Sequence, residues 1–411
     1  MPKNMHIIAI FLLVFIAFEG LLIPSAIASE GEFKQVLIEE GLSPEKVETI
    51  LSALGNVYSP EKIRRNIQWL RDLGVENIGK VLVTYPSILS LSVDDNMKAK
   101  AEWLRDIGIK NIGKLITSYP SIFGLSLRAN LIPKIVWLMA QGVMDIEKVI
   151  SVYPAILGIS IHENLNPKIK WLKDQGVVDV AKVITFHPVM LGLSIRDNLD
   201  PKVAWLRSQG VIDVGRVITV SPNILGLSIT KNLIPKVEWL RSQGLSKIGK
   251  ILNDFPQVFG LSIQDNLAPT FAELRTSWAL TQSDIERSPL LLGASLKRIK
   301  ELRGWINHLS QFVNEGEFAF DQLDRGAKIT CIQNLSAGTL VQYLQQAKVI
   351  HPDRDHQDLL ALNFASLSEL EKRNLKAVFH SGDFGKLLVR KGRLSQKALK
   401  TIGSYCEDVL K

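Results

Sequence analysis

A proline recurs every 34 residues through the middle of this chain, as Pro86, Pro120, Pro154, Pro188, Pro222 and Pro256. A tryptophan keeps the same step (Trp69, Trp103, Trp137, Trp171, Trp205, Trp239), and so does a glycine (Gly74, Gly108, Gly142, Gly176, Gly210, Gly244). Self-similarity at one fixed period is the signature of stacked units, none of which can bury its apolar face alone. Such arrays carry long, repetitive surfaces suited to extended partners. They rarely assemble a catalytic constellation.

The unit is legible residue by residue. Between Asn130 and Ile161, Asn130 is placed as an N-cap, and Pro133 falls early enough in the helix that follows for its missing N–H to cost little. Leu131, Ile135 and Leu138 then mark one apolar stripe, with Trp137 beside it. Gly142 stops this first helix in the left-handed conformation. Asp145 caps a second helix whose buried face is Ile146, Val149, Ile150 and Tyr153, and Pro154 ends it, because the residue before a proline is pushed out of the α region. Ile156-Leu157-Gly158 leaves room for one tight turn. The unit predicted is helix, helix, turn, in an all-α solenoid.

The period frays at both ends. Upstream, Gly41 to Val47 opens a half-matching unit with Ser43 as its N-cap; downstream, Pro289-Leu290-Leu291-Leu292-Gly293 restates the turn one residue early and Leu296 to Trp305 echoes the first helix. The expected organisation is a signal peptide at 1–28, a capping repeat at 29–59, a repeat array at 60–309 and an aperiodic C-terminal helical segment at 310–411.

Tetratricopeptide and pentatricopeptide repeats lack the proline followed by a Gly-Leu-Ser turn, and no paired variable dipeptide in a Gly-rich loop of the TAL-effector kind is found. The recurring pattern P-x-I-L-G-L-S-I-x-x-N-L-x-P-K-x-x-W-L-x-x-x-G resembles the mitochondrial transcription termination factor (mTERF) repeat. It stands here as Pro188-Val189-Met190-Leu191-Gly192-Leu193-Ser194 followed by Asn198-Leu199-Asp200-Pro201-Lys202 and Trp205-Leu206. The resemblance implies a right-bent or crescent α-solenoid whose basic concave face holds nucleic acid, duplex DNA above all and RNA in some members, with an effect on transcription. A solenoid that docks a protein, as a scaffold or a secreted interaction protein, is the alternative.

Charge bears on this independently. Residues 60–270 hold 26 Lys+Arg against 18 Asp+Glu, an excess equal to the +8 of the whole chain, so the flanks together are neutral. The cations are ordered at the repeat period. Lys100, Lys134, Lys168, Lys202 and Lys236 form a column near the start of the first helix; Lys80, Lys114, Lys148, Lys182, Arg216 and Lys250 form another near the start of the second. Arg71, Arg105, Lys173, Arg207 and Arg241 form a third, interrupted by Met139. Stacking turns a column into a stripe, which is the footprint of a phosphate backbone. Helix surfaces also need charge for solubility, but lysine near a helix N-terminus opposes the dipole, so the first two columns call for a reason.

Other periodic positions read as structural. The tryptophans sit on the apolar stripe and pack between repeats rather than stack on bases, and the turn serines (Ser126, Ser160, Ser194, Ser228, Ser262) are local caps. A pair that differs between units precedes the asparagine: Asp94-Asp95, Arg128-Ala129, His162-Glu163, Arg196-Asp197, Thr230-Lys231 and Gln264-Asp265. Base readout would need such positions, but drift on an exposed turn accounts for them equally.

At the N-terminus, Lys3, the apolar run Ile7 to Phe18 and the small-x-small Ala26-Ile27-Ala28 read as a Sec-type export signal cut before Ser29. That predicts a periplasmic, secreted or host-directed bacterial protein. An organellar address is what the family would imply, and an uncleaved membrane anchor is the other reading of the segment. Cys331 and Cys406 have no metal-ligand spacing. His351-Pro352-Asp353 resembles the loop of J-domain co-chaperones, yet a Pro-Asp turn is the simpler reading, and His351, Asp353 and His356 are not taken as a metal site. No phosphate loop, nucleophile elbow or HExxH is present. The expectation is no enzyme, no cofactor, no metal and no small-molecule substrate.

Overall fold

The computed structural model describes residues 30–55, 59–313, 325–334, 368–370 and 373. Among them there is no strand, and the repeat is realised as helix, helix, turn. In the repeat read above, a wide π-turn at Leu127–Leu131 leads into the first α-helix, Ile132–Ala140. The second helix is Ile146–Val152, and Pro154–Gly158 is a 3₁₀ turn. Each of the six periodic prolines opens such a turn directly after a second helix.

The start of the first helix differs from the expectation. The N-cap is Ser126, not Asn130: the Ser126 hydroxyl accepts the Ala129 N–H at 3.1 Å, while Asn130 Oδ1 accepts the Ser126 N–H at 3.1 Å. This reciprocal pair satisfies two orphan donors in the manner of a capping box. It recurs at Ser228 with Asn232 and at Ser262 with Asn266. Between cap and α-helix the Leu131 N–H bonds five residues back to the Ser126 carbonyl, at 3.0 Å. Pro133 does not cause this widening, since Ala99 holds its place one repeat earlier and Val93–Met97 makes the same π-turn.

The second helix is capped as read. Asp145 Oδ1 accepts the Lys148 N–H at 3.0 Å, and Asn77, Asn111, Asp179 and Asp213 do the same in their repeats. Gly142 joins the helices at a φ of 83°, a left-handed conformation open to glycine at little cost. The turn glycine has a different reason. A Cβ on Gly158 would lie 2.6 Å from the Tyr119 hydroxyl, so the tyrosine of one repeat lies over the turn of the next.

Two compact units divide the chain, Met1–Ile195 and Arg196–Lys411, and each is an α-solenoid stack of these repeats. In the N-terminal unit the second helices Ile78–Thr84 and Ile112–Ser118 pack on one another, as do Ile146–Val152 and Val180–Phe186; in the C-terminal unit Val214–Val220 packs on Ile248–Asp254. Leu138, Val149, Ile150, Ile156 and Leu157 are fully buried in the repeat read above. Burying one such side chain contributes about 1.5–3 kcal/mol, so the apolar columns hold the stack together.

The tryptophans serve that core. Trp137 and Trp171 are buried, and the Trp137 indole N–H reaches Asn166 Oδ1 in the next repeat at 2.8 Å. Trp69 meets Phe123 edge-on at 5.7 Å in the N-terminal unit, and Trp205 meets Phe259 at 5.9 Å in the C-terminal unit. Ser43 occupies the N-cap position of Pro44–Leu54 without a side-chain bond. In the C-terminal unit Leu296–Val313 packs on Ala268–Thr276, and Arg325–Asn334, with buried Cys331 and Ile332, covers the Pro289–Gly293 turn. The export signal, Cys406 and the His351–His356 segment lie outside the described residues. Among the described residues no helix is long and apolar enough to cross a membrane.

Candidate nucleic-acid interface

The three basic columns have three different environments. The second-helix column is placed by capping: the Asn or Asp cap accepts the backbone N–H of the very residue that carries the cation, at 2.8–3.0 Å in five repeats. That bond sets the cation in the first turn, on the helix face turned from the core. In the N-terminal unit Lys80, Lys114 and Lys182 are exposed and Lys148 half-buried. None of the four makes a salt bridge among the described residues. Lys148 instead lies over the Phe186 ring, its ammonium 3.7 Å from the centroid.

In the C-terminal unit the two cations of the same column share one carboxylate. Asp254 ion-pairs with Lys250 and lies 3.7 Å from the Arg216 guanidinium, which also donates to the Asn253 carbonyl at 2.7 Å. The cap is also irregular there. Lys247 stands at the N-cap of Ile248–Asp254 with no side-chain cap bond, and Glu286 of the following repeat accepts the Lys247 N–H at 2.9 Å.

The first-helix column is not an exposed stripe. Lys100, Lys134, Lys168 and Lys202 keep only 5–7% of their surface accessible, and Lys236 is half-buried. The Lys100 ammonium donates to Asn96 Oδ1 at 2.7 Å and to the Phe123 carbonyl at the end of the 3₁₀ turn. Burial alone pushes all five amines below the ordinary lysine value.

The residues one period beyond either end of this column explain it. Asn66 stands 34 residues before Lys100 and donates to the carbonyls of Ile88, Leu89 and Leu91 at 3.2, 3.0 and 3.0 Å. Thr270 stands 34 residues after Lys236, is 2% exposed, and points its hydroxyl at the Ala294 carbonyl, 3.5 Å away. At Asn66, Lys100 and Thr270 the position supplies a buried donor to the turn's carbonyls, whatever its charge. Basic stripes read from period alone therefore overcount. The signal that corrects the reading, a neutral donor at each end, was present in the sequence.

The third column, in the last turn of the first helix, is exposed at Arg71, Arg105, Lys173, Arg207 and Arg241. Cations there suit the helix dipole, which is reason enough for their presence. Arg71 pairs with Glu40, and Arg241 Nη2 donates to Gln209 Oε1 at 2.9 Å. Met139, the gap in this column, shares its exposed helix face with Val136 and Ile132. The dipeptides that differ between repeats are exposed on the π-turns, as expected of either reading.

The exposed cations can attract polyanions. Among the described residues no group of three or more His, Cys, Asp or Glu is placed to hold a metal ion. Two residues that matter here were not singled out from the sequence. Asp254 replaces the hydroxyl of Thr84 and Ser118 and gives two cations a shared carboxylate, and Phe186 puts a phenyl ring at that same repeat position.

The family model described as mTERF matches residues 34–212 and, overlapping, residues 102–309. No curated protein matches the chain.

Proposed function

The chain belongs to the mTERF family of non-enzymatic, nucleic-acid-binding helical-repeat proteins, and from that premise we propose that it binds duplex DNA by its phosphates, with an effect on transcription. The observation that supports this reading is the row of salt-bridge-free lysines Lys80, Lys114, Lys148 and Lys182 at the starts of consecutive second helices in the N-terminal unit. An ammonium without a carboxylate partner is available to a phosphate, and release of counterions then supplies the binding free energy. Arg105 and Lys173 add exposed cations in the same unit. Duplex DNA, single-stranded DNA and RNA should all be tested by anisotropy titration over a salt series. Binding should fall log-linearly with salt, by about 0.9 in slope per phosphate contact on duplex DNA. Salt-independent binding, or none, sinks the reading.

The second reading, a protein-docking solenoid, draws on the apolar exposed face of Ile132, Val136 and Met139. Its test is whether Val136→Asp abolishes a co-purified partner while leaving nucleic-acid binding intact. The N-terminal segment is proposed as an export signal, and mass spectrometry of the secreted protein should find Ser29 first. An intact N-terminus recovered from cytosol would overturn that.

A further inference from the structure

We propose that the apolar strip Ile132, Val136 and Met139, on the outer face of the first helix Ile132–Ala140, docks an acidic amphipathic helix of a partner protein. This rests on the protein-docking reading above and names the chemistry of that partner.

The strip is a departure from the repeat. Its three residues are spaced i, i+4 and i+7, so they form one row along the helix, and Val136 and Met139 are 60% and 57% exposed. The same places hold Lys98, Glu102 and Arg105 one repeat earlier, and Asn166, Lys170 and Lys173 one repeat later, all exposed. No other repeat puts three apolar residues there. The strip does not serve the core either, since Leu131, Ile135 and Leu138 already make the buried face of this helix.

What flanks the strip identifies its occupant. The bond from the Trp137 indole to Asn166 sets the helix Asn166–Asp174 beside Ile132–Ala140, and the same repeat step sets Lys98–Asp106 on the other side. The strip thus runs between two rows that carry four cations, Lys98, Arg105, Lys170 and Lys173, against one carboxylate, Glu102. Asp174 pairs with Lys170, whereas Lys98, Arg105 and Lys173 make no salt bridge among the described residues. Charge complementarity therefore asks for carboxylates on the partner, and a second copy of this face would bring cations against cations. Ile, Val and Met side chains offer no hydrogen bond. An extended peptide laid on them would leave its N–H and C=O groups without protein partners, while a helix satisfies its own. Lysine and arginine are longer than isoleucine and valine, so a flat bilayer meets the rims first. A helix fits between them, with apolar anchors at i, i+4 and i+7 on the strip and its acidic flanks against the cations.

The full-length chain is screened against a phage library of alanine-rich helical peptides of about 20 residues, with leucine fixed at i, i+4 and i+7 and the flanking places randomised. Peptides that also bind Val136→Asp are discarded, and the survivors should carry Asp or Glu at the flanks. In anisotropy titrations the synthetic consensus peptide should bind Val136→Asp, Val136→Ser and the pair Arg105→Ala/Lys173→Ala about tenfold more weakly than wild type, or worse. Proline at the centre of the peptide should abolish binding. Circular dichroism melting is the fold control, and Val136→Ser keeps the test valid should the aspartate variant misfold. Survivors with neutral or basic flanks, or a consensus that tolerates proline, overturn the acidic helix and leave protein docking standing. Absence of any survivor overturns both. Phosphatidylglycerol vesicles that bind wild type but not Val136→Asp, or a dimer in ultracentrifugation that Val136→Asp dissolves, overturn the proposal in favour of a bilayer or a second copy. Duplex DNA binding by folded Val136→Asp should equal that of wild type, and its loss would assign the strip to the nucleic-acid face instead.

Discussion

Two lysine columns with the same period, both near the start of a helix, have opposite fates. Lys100, Lys134, Lys168 and Lys202 are buried, Lys100 against a carbonyl of a 3₁₀ turn, whereas Lys80, Lys114 and Lys182 stand in solvent. The difference lies in what precedes each helix. The first helix runs through a π-turn before its α-helical part begins, so its lysine sits well inside the helical run, facing the turn of its own repeat. The second helix starts abruptly at an Asn or Asp cap, and its lysine occupies the first turn on the outer face. Periodicity locates a column without revealing which side of the wall it is on.

The largest effect that separates the columns should be on stability. Replacing Lys100, Lys134 and Lys168 with methionine removes three buried donors and at Lys100 strands the Phe123 carbonyl, at a cost of about 1–3 kcal/mol for each carbonyl left unpaired. Urea unfolding should show the midpoint falling accordingly. The same three positions changed to glutamine, which keeps a donor, should lose less. A methionine triple as stable as wild type would mean that the ammoniums are not needed inside.

Next comes binding. Changing Lys114, Lys148 and Lys182 to glutamine should leave stability within about 0.5 kcal/mol. The log–log salt slope on duplex DNA should drop by up to about 3 in magnitude, three contacts at roughly 0.9 each. If the slope does not move while the fold is intact, the exposed column is solvated surface.

A smaller effect should distinguish the two units within one column. Asp254→Asn releases Lys250 and Arg216 in the C-terminal unit, whereas among the described residues Lys80, Lys114, Lys148 and Lys182 make no salt bridge in the N-terminal one. Duplex binding should tighten a few-fold, with a salt slope steeper by up to about 2. Stability should fall by no more than about 1 kcal/mol, the range for exposed ion pairs. Unchanged affinity would show that the C-terminal unit lies off the nucleic acid.

The smallest effect is on pH dependence. A lysine whose folded-state pKa lies below its ordinary value of 10.5 binds fewer protons folded than unfolded in the interval between the two. Stability therefore rises with pH across that alkaline window. The difference between wild type and the methionine triple should show this rise, and a flat difference would mean that the amines remain fully hydrated.

Much of the fold was legible from the chain. Pro154 ending a helix, Gly142 turning left-handed and Asp145 capping the second helix are local rules acting within a few residues, and each appears as read. Asn130 was misassigned by four residues because Ser126 and Asn130 cap jointly, and either alone satisfies the local pattern. At the site, Lys80 through Lys182 were legible as a column, but their freedom from carboxylates was not. Asp254 is near Arg216 only through the stacking of the second helix Ile248–Asp254 on Val214–Val220.

The sequence by itself determined the repeat, its two helices, its turns and the excess of positive charge, since period, capping and helix propensity operate over one unit's length. Only the tertiary structure decided which lysines meet water. A side chain's environment is set by residues distant in the chain, through a carbonyl such as that of Phe123 over Lys100 or a carboxylate such as that of Asp254 beside Arg216. Desolvation and ion pairing act through space, and the linear pattern records only the position at which they act.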